Sequence, residues 1–254
     1  MSHILHPPAH CSLKPNWVAN QVWLLCLLLI LVFGGCDSES PPPSPPSPII
    51  SRGAETSISI SSPTVNQDYP RIVALGNSLT AGLGVSPDQS YPAQLQKRLD
   101  QAGYRYRVIN AGVSGDTTAG GLRRLDWVLK SKPSIVIVEL GANDALRGQS
   151  LDAMYRNLNE LITRLKGTEA TVVLAGMKIP PNYGLDYTTG FESMFTRLAD
   201  KHGVTLIPFL LEGVAARPGL NQADGIHPTA AGYEIVADTV MKALVPFLGN
   251  PRSG

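Results

Sequence analysis

Short apolar runs alternate with amphipathic stretches from residue 70 to residue 250. A short apolar run between turn formers is typical of a strand buried in a parallel sheet, and apolar residues at intervals of three and four are typical of a helix. The pattern predicts strands at 72–75, 106–110, 135–140, 171–175 and 204–207, and helices at 91–102, 117–130, 151–165, 188–202 and 229–247. This alternation predicts an α/β domain of three layers, a five-stranded parallel sheet with helices on both faces.

Two of the predicted helices carry end signals. Gly103 follows the helix at 91–102 and is expected to end it. Asp116 precedes the helix at 117–130 and is expected to cap its first turn.

The first 36 residues are predicted to be an export segment. An apolar run, Val22–Phe33, ends at Gly34-Gly35-Cys36 and is shorter than the roughly 20 residues that a membrane span needs. This ending resembles a bacterial lipoprotein signal, in which the cysteine is lipidated, although Phe33 stands where such signals usually have Leu. We expect Cys36 to be lipidated, and the alternative is an uncleaved anchor helix. Either places the rest of the chain outside the cytoplasm, on the periplasmic or cell-surface side, with membrane association through this segment.

Residues 37–69 are predicted to be a linker. Pro41–Pro48 contains only proline and serine, so this part is expected to be extended and semi-rigid. The Ser/Thr-rich remainder has few bulky apolar residues and is expected to be disordered. The predicted organisation is a signal or anchor at 1–36, a linker at 37–69 and one folded domain at 70–250.

Composition excludes several classes of function. The formal net charge of +1 gives no electrostatic case for a nucleic-acid partner. All three cysteines precede the domain, so a disulfide or a thiol nucleophile is not expected there. The domain contains only two histidines, His202 and His227, at unrelated positions, which argues against a metal centre. We expect a monomer with no cofactor and no metal.

Ser78 lies in the turn after the first predicted strand, between Gly76 and Gly82. Open α/β sheets bind ligands at the carboxyl ends of their strands, and glycines allow the backbone to turn sharply there. Ser78 could therefore be a nucleophile presented at the edge of the sheet. The alternative is a serine that caps the next helix.

A serine nucleophile needs a base within hydrogen-bond reach and a group that orients this base. His202 lies at a predicted helix end, where histidine commonly interacts with carbonyls or with the helix dipole, so His227 is the remaining candidate. It follows the last predicted strand and should lie at the same edge as Ser78. Asp224 can accept the Nδ1–H of His227 and leave Nε2 for the serine. The alternative is a capping histidine beside a loop aspartate.

A serine nucleophile also needs donors directed at the developing oxyanion. Gly112 follows the second predicted strand and could supply a backbone N–H, and Asn143 follows the third and could supply a side-chain amide. Each has a local alternative, a turn for Gly112 and an Asx-turn for Asn143. Because these features and the other candidates all fall at strand ends on one edge, coincidence is the weaker explanation.

Four sequence blocks resemble those of the SGNH (GDSL) hydrolase superfamily, in the same order. They are Gly76-Asn-Ser-Leu79, Gly112, Gly141-Ala-Asn-Asp144 and Asp224-Gly-Ile-His227. The stretches Asn110–Thr117, Val138–Gly148 and Pro181–Gly184 resemble its subfamily of periplasmic acyl-CoA thioesterase I, arylesterase and lysophospholipase enzymes. The resemblance covers the whole domain and implies the flavodoxin-like fold of that superfamily.

The resemblance also implies an activity. It implies a serine esterase that hydrolyses acyl esters or thioesters of small molecules or lipids through an acyl-enzyme intermediate. The roles that it implies are a triad of Ser78, Asp224 and His227, an oxyanion hole of the Ser78 N–H, Gly112 and Asn143, and a substrate-binding loop of Pro181, Asn182 and Tyr183.

Two residues depart from the family pattern. Asn77 stands where the family usually has Asp, and Ala142 stands where the third block commonly has Gly. An Asn keeps the shape and one acceptor of a carboxylate but loses its charge. We expect activity to survive, with some loss of rigidity in the turn.

Two other functions remain compatible with such a domain. A non-catalytic flavodoxin-like module would bind phosphate at the turn after the first strand, but 76–82 lacks the lysine and the spacing of a P-loop. A carbohydrate acetyl esterase is possible on the same fold. The loop 181–183 and the apolar Phe209–Leu211 modestly favour acyl chains over sugars.

Overall fold

The structure is a computed structural model that describes residues 69–251, within one of the two units into which the chain divides, Pro63–Gly254. The predictions for the segment 1–36, for the lipidation of Cys36 and for the linker therefore concern residues outside the described range, apart from the end of the linker. Within 69–251, no helix is both long enough and apolar enough to cross a membrane.

Five parallel strands form one sheet in the order β2-β1-β3-β4-β5. The strands are β1 (Arg71–Gly76), β2 (Arg107–Gly112), β3 (Ile135–Glu139), β4 (Thr171–Ala175) and β5 (Thr205–Ile207). The predicted five-stranded parallel sheet is confirmed, and the predicted strand bounds differ from these by no more than one or two residues.

Helices connect the strands and cover the sheet. They are α1 (Ser78–Ala81), α2 (Tyr91–Gln101), α3 (Thr118–Arg123), α4 (Leu125–Lys130), α5 (Ala142–Leu146), α6 (Leu151–Lys166), α7 (Leu185–His202) and α8 (Ala230–Leu244), with 3₁₀ turns at Pro87–Gln89, Pro181–Tyr183 and Val245–Phe247. Helix α2 packs on α8, while α6 packs on α3 and on α7. With right-handed crossovers, this packing places α2 and α8 on one face of the sheet and α3, α6 and α7 on the other.

The helix predicted at 117–130 is two helices, α3 and α4, which meet at Arg124. The predicted cap is also wrong, because Thr117 rather than Asp116 caps α3, its side chain accepting a hydrogen bond from the Gly120 N–H. The Asp116 carboxylate is held elsewhere, since its Oδ2 accepts from Arg124 Nε at 2.7 Å. Gly103 ends α2 as predicted, with a φ of 76° that suits glycine.

The centre of the sheet explains where a site can form. Residues 72–75 of β1 and all of β3 are buried. Strand β1 pairs with β2 on one side and with β3 on the other, so the chain reverses its direction of winding between β1 and β3. A crevice opens at such a switch point, outside the carboxyl ends of the strands. Helix α1, which carries Ser78, begins there.

Candidate active site

Ser78 is the first residue of α1, directly after the turn that leaves β1. Asn77 caps this helix, because its side chain accepts a hydrogen bond from the Leu79 N–H at 2.9 Å. The alternative interpretation of Ser78 as a helix cap is therefore wrong. A helix leaves its first N–H groups without intrahelical acceptors, so the Ser78 N–H lies where it could meet a substrate oxygen. Gly82 ends the short helix with a φ of 82°.

Ser78, His227 and Asp224 form a continuous hydrogen-bonded chain. Ser78 Oγ lies 2.8 Å from His227 Nε2, and His227 Nδ1 lies 2.6 Å from Asp224 Oδ2. The second oxygen, Asp224 Oδ1, accepts from the N–H groups of Ile226 at 2.9 Å and of His227 at 3.0 Å. The His227 N–H and imidazole, followed by the Ile226 N–H, lower the pKa of Asp224 to about 2. An ionised carboxylate therefore faces the imidazole at neutral pH, which favours the tautomer with its proton on Nδ1.

The loop that carries His227 is fastened to the segment after α1. Gln222 N donates to the His227 carbonyl at 2.7 Å. The Gln222 side-chain Nε2 donates to the carbonyls of Leu83 at 2.7 Å and of Pro228 at 2.9 Å. This single amide thus links the two segments that supply Ser78 and His227. No local sequence signal distinguished Gln222 from other loop residues.

Asn143 lies in the first turn of α5, and its Nδ2 donates to the Asp116 carbonyl at 3.0 Å. An amide nitrogen carries two hydrogens, so one can orient the side chain while the other donates elsewhere. Gly112 differs, because its single N–H donates to Asn110 Oδ1 at 2.9 Å. An oxyanion that used the Gly112 N–H would have to replace the Asn110 side chain.

Glycine at position 112 also has a packing reason. A Cβ there would lie 2.2 Å from Ala81 N and 2.7 Å from Ala81 Cα. The end of β2 therefore approaches the backbone of α1 as closely as only glycine permits. The same approach brings the Gly112 N–H beside the helix that carries Ser78.

The loop predicted to bind substrate, Pro181–Tyr183, is a 3₁₀ turn between β4 and α7. Pro181 and Asn182 are exposed, and Tyr183 is half-buried. Tyr183 OH donates to the Leu146 carbonyl at 3.0 Å, at the end of α5. The loop is therefore joined to the helix that carries Asn143. His202, the other histidine of the domain, instead lies 3.0 Å from Asn159 at the end of α7.

Two further polar residues at this edge were missed from the sequence. Glu139 is completely buried at the end of β3, and Arg124 lies between α3 and α4. A carboxylate inside the apolar run 135–140 was a signal, since a buried charge requires hydrogen-bond partners. Arg124 gave no such signal, because two of its acceptors are carbonyls at the ends of β1 and β2, Gly76 and Ala111.

A parallel α/β sheet with a serine, a histidine and an aspartate in contact at its carboxyl edge defines a class, that of hydrolases with a flavodoxin-like fold. The model of the GDSL-like Lipase/Acylhydrolase family matches residues 74–235. The chain belongs to this family, the SGNH hydrolases. It is a hydrolase that acts on ester bonds, as its named relatives are.

Named relatives agree with this assignment. "Esterase TesA" of Pseudomonas aeruginosa is 42% identical over 178 residues, which cover 70% of this chain and 89% of that protein. "Thioesterase 1/protease 1/lysophospholipase L1" of Escherichia coli is 36% identical over 180 residues, which cover 70% of this chain and 85% of that protein. A crystal structure of TesA, 42% identical, superposes with a TM-score of 0.68 and covers 70% of this chain and 99% of that one. The resemblance expected from the four sequence blocks is thus confirmed.

Proposed function

We propose that this protein is a serine esterase that hydrolyses acyl esters or thioesters through Ser78, His227 and Asp224. The observation that carries the proposal is the hydrogen-bonded chain of 2.8 Å and 2.6 Å that joins these three side chains. Covalent acyl transfer requires a nucleophile, a base and an orienting carboxylate, hydrogen-bonded to one another in that order.

In the first half of the reaction, Ser78 Oγ attacks the carbonyl carbon of the substrate and His227 Nε2 takes the hydroxyl proton. Asp224 stabilises the imidazolium that forms. The tetrahedral intermediate then collapses, the C–O or C–S bond breaks, and His227 returns the proton to the leaving alcohol or thiol. An acyl ester of Ser78 remains.

In the second half, His227 takes a proton from water, whose oxygen attacks the acyl-enzyme. Collapse releases the carboxylic acid and returns the proton to Ser78 Oγ. In both halves, negative charge develops on the former carbonyl oxygen. The Ser78 N–H and the second hydrogen of Asn143 Nδ2 stabilise this charge, and the Gly112 N–H joins them when the Asn110 side chain yields.

Exposed apolar side chains beside the site favour an acyl chain as the substrate. Val113 follows Gly112, Ile226 precedes His227, and each is 48% exposed. Leu83, whose carbonyl is bound by Gln222, is 45% exposed. Such side chains offer contact to a hydrocarbon chain but no hydrogen bonds to a sugar.

The names of the relatives indicate the leaving groups to be tested. One relative is named an esterase, and another a thioesterase and lysophospholipase. We propose esters of aryl alcohols, acyl thioesters and lysophospholipids as substrates, with the loop Pro181–Tyr183 contacting the acyl chain. A protein named "Acetylxylan esterase" is 27% identical over 218 residues and makes acetylated sugars the competing class.

We further propose that the enzyme acts as a monomer outside the cytoplasm, attached to a membrane by a lipidated Cys36. The support is the short apolar run that ends at Gly34-Gly35-Cys36. A linker of the length and composition of 37–69 would let the domain reach substrates at some distance from the anchor.

A fluorophosphonate probe, which reacts with activated serines, tests the nucleophile. The wild type should be labelled at Ser78, and Ser78→Ala should lose labelling together with about 10⁵- to 10⁶-fold of kcat. Ser193→Ala is the control, because Ser193 is exposed on α7 and should label and turn over as the wild type does. Full esterase activity in Ser78→Ala would overturn the proposal. Rates on aryl esters, acyl thioesters, lysophospholipids and acetylated sugars then decide between the substrate classes.

A further inference from the structure

A buried carboxylate lies directly beneath the turn that carries Ser78. Glu139 is 0% exposed, and its Oε1 accepts a hydrogen bond from Asn77 Nδ2 at 2.7 Å. Its Oε2 accepts from the Asn77 backbone N–H at 3.0 Å and from Thr80 Oγ1 at 2.8 Å. Gly76 makes this approach possible, because a Cβ there would lie 2.5 Å from Oε2. One carboxylate therefore binds the residues on both sides of the candidate nucleophile.

Asn77 matches this carboxylate in a fixed orientation. Its Oδ1 accepts from the Leu79 N–H, and its Nδ2 donates to Glu139. Rotating the amide by half a turn would place Nδ2 against the Leu79 N–H, donor against donor, and Oδ1 against Glu139, acceptor against acceptor. The two contacts therefore fix the orientation of the amide. A carboxylate at position 77 would instead face Glu139 with oxygen against oxygen, and the pair would have to share a proton.

We propose that Asn77 and Glu139 form a matched amide–carboxylate pair that positions the nucleophile. By holding the backbone of 77–80, the pair sets the direction of Ser78 Oγ toward His227 and of the Ser78 N–H toward the oxyanion. Both are positioning residues that act through Ser78. The inference rests on the proposed catalytic role of Ser78 and adds the device that orients it.

The groups around Glu139 allow the hydrogen bonds of this pair to persist whether Glu139 is ionised or protonated. Tyr91 on α2, whose hydroxyl lies 3.3 Å from Thr80 Oγ1, and the fully buried Tyr233 on α8 face it. Burial raises the pKa of both phenols, so they stay neutral, and it raises the pKa of Glu139 to about 7. When Glu139 is protonated, the Thr80 hydroxyl can reverse to accept its proton and donate toward Tyr91. The bonds from Asn77 persist in both states.

A reciprocal exchange tests the pair more sharply than either single change. In Glu139→Gln the new amide nitrogen meets a donor, either Asn77 Nδ2 or the Asn77 N–H. In Asn77→Asp two carboxyl groups meet. In the double variant, the new carboxylate at position 77 accepts from the Leu79 N–H and from the new amide at position 139. The oxygen of that amide accepts from the backbone N–H of residue 77 and from Thr80. Every bond is therefore restored, and only the side-chain bond between positions 77 and 139 has its donor and acceptor exchanged.

We expect each single variant to lose about 10- to 100-fold in kcat, with KM changed far less, because a small displacement of a nucleophile slows chemistry more than binding. In Asn77→Asp the loss should deepen as the pH rises above neutrality, since the shared proton is then removed. The double variant should recover most of the wild-type kcat and lose this pH dependence. Asn159→Asp and Glu160→Gln, which make the same chemical changes on α6, should leave the rate and its pH profile unchanged.

Losses that simply multiply in the double variant, or single variants that match the wild type, would overturn the inference. If Asn77→Asp does not fold, folding and activity in the double variant support the pair, and failure of both overturns it. The proposed function fails separately, through absence of probe labelling at Ser78 in the wild type. Normal labelling without rescue in the double variant removes the positioning pair alone.

Discussion

Arg124 Nη2 donates a hydrogen bond to the Gly76 carbonyl at 2.8 Å, although 48 residues separate them in the chain. The same guanidinium donates to the Ala111 carbonyl at 2.6 Å and to Asp116 Oδ2 at 2.7 Å. It therefore joins the carboxyl ends of β1 and β2 to the loop whose carbonyl orients Asn143. The candidate nucleophile and both further candidate oxyanion donors, Gly112 and Asn143, depend on segments that this one side chain holds together.

Replacing Arg124 by lysine should weaken the site although the charge is kept. A single ammonium group cannot reach three acceptors arranged for a planar fork. We expect about 10- to 100-fold lower kcat and a loss of about 2 kcal/mol in the free energy of unfolding. Ester turnover and denaturant unfolding measure these effects. Arg123→Lys, at the exposed neighbouring position on α3, should change neither, and wild-type kcat in Arg124→Lys would contradict the role of the fork.

Asn143→Ala should lower kcat by about 10² to 10³, the usual cost of losing one oxyanion donor. Labelling by the fluorophosphonate probe should persist at a slower rate, because the serine and its base remain. Asn250→Ala, an exposed change after α8 and outside the proposed site, should label at the rate of the wild type. Unchanged kcat in Asn143→Ala would mean that this amide serves only to bind the Asp116 carbonyl.

The parts of the fold that were predicted are those with a local pattern. Strand β4 was predicted with its observed bounds, because an apolar run between turn formers needs no distant partner to be recognised. Helices α1 and α5 were missed, since four and five residues are too few to show a helical period. The break at Arg124 was missed because the Gly76 carbonyl that it binds is brought beside Ala111 only by the pairing of β1 with β2.

The candidate site divides in the same way. Ser78, Asp224 and His227 were predicted because acyl transfer demands these residue types at strand ends, and the structure places the three side chains within hydrogen-bond distance of one another. Glu139 could be noticed as a charge in an apolar run, but its partner follows from the pairing of β1 with β3, in which Gly76 lies opposite Glu139. Strand register of this kind has no signal in the linear sequence.

The free energy of unfolding of the domain should depend on pH through the titration of Glu139. Burial raises its pKa from an ordinary 4.5 to about 7. This contribution to the free energy of unfolding is fully present below about pH 4.5 and is lost as the pH rises toward 7, because the unfolded chain releases the proton first. Melting temperatures between pH 4 and pH 8 should show this decline in the wild type. The decline should be absent from Glu139→Gln, and equal slopes in the two proteins would contradict the assignment.

The proposed anchor predicts a defined N-terminus for the mature protein. Mass spectrometry should find a diacylglyceryl group on Cys36, with residues 1–35 removed. Cys36→Ala should release the protein from membranes without changing its kcat on soluble esters, since the anchor takes no part in the chemistry. An intact segment 1–35 in the mature protein would favour the uncleaved anchor helix instead.

Asp224→Asn tests whether this carboxylate orients and stabilises the imidazole of His227. The carboxylate accepts from His227 Nδ1 and from two backbone N–H groups, and an amide oxygen can keep some of these bonds. It cannot hold the imidazole in the required tautomer or stabilise the imidazolium, so kcat should fall by about 10⁴ with little change in KM.

Since the pKa of Asp224 is lowered to about 2, its stabilising contribution is present above about pH 3.8 and is lost only as the pH falls through 2. The activity of the wild type between pH 4 and pH 8 should therefore show no ionisation of this carboxylate. Asp152→Asn, an exposed change in the first turn of α6, is the control, and a kcat in Asp224→Asn within tenfold of the wild type would assign His227 another orienting partner.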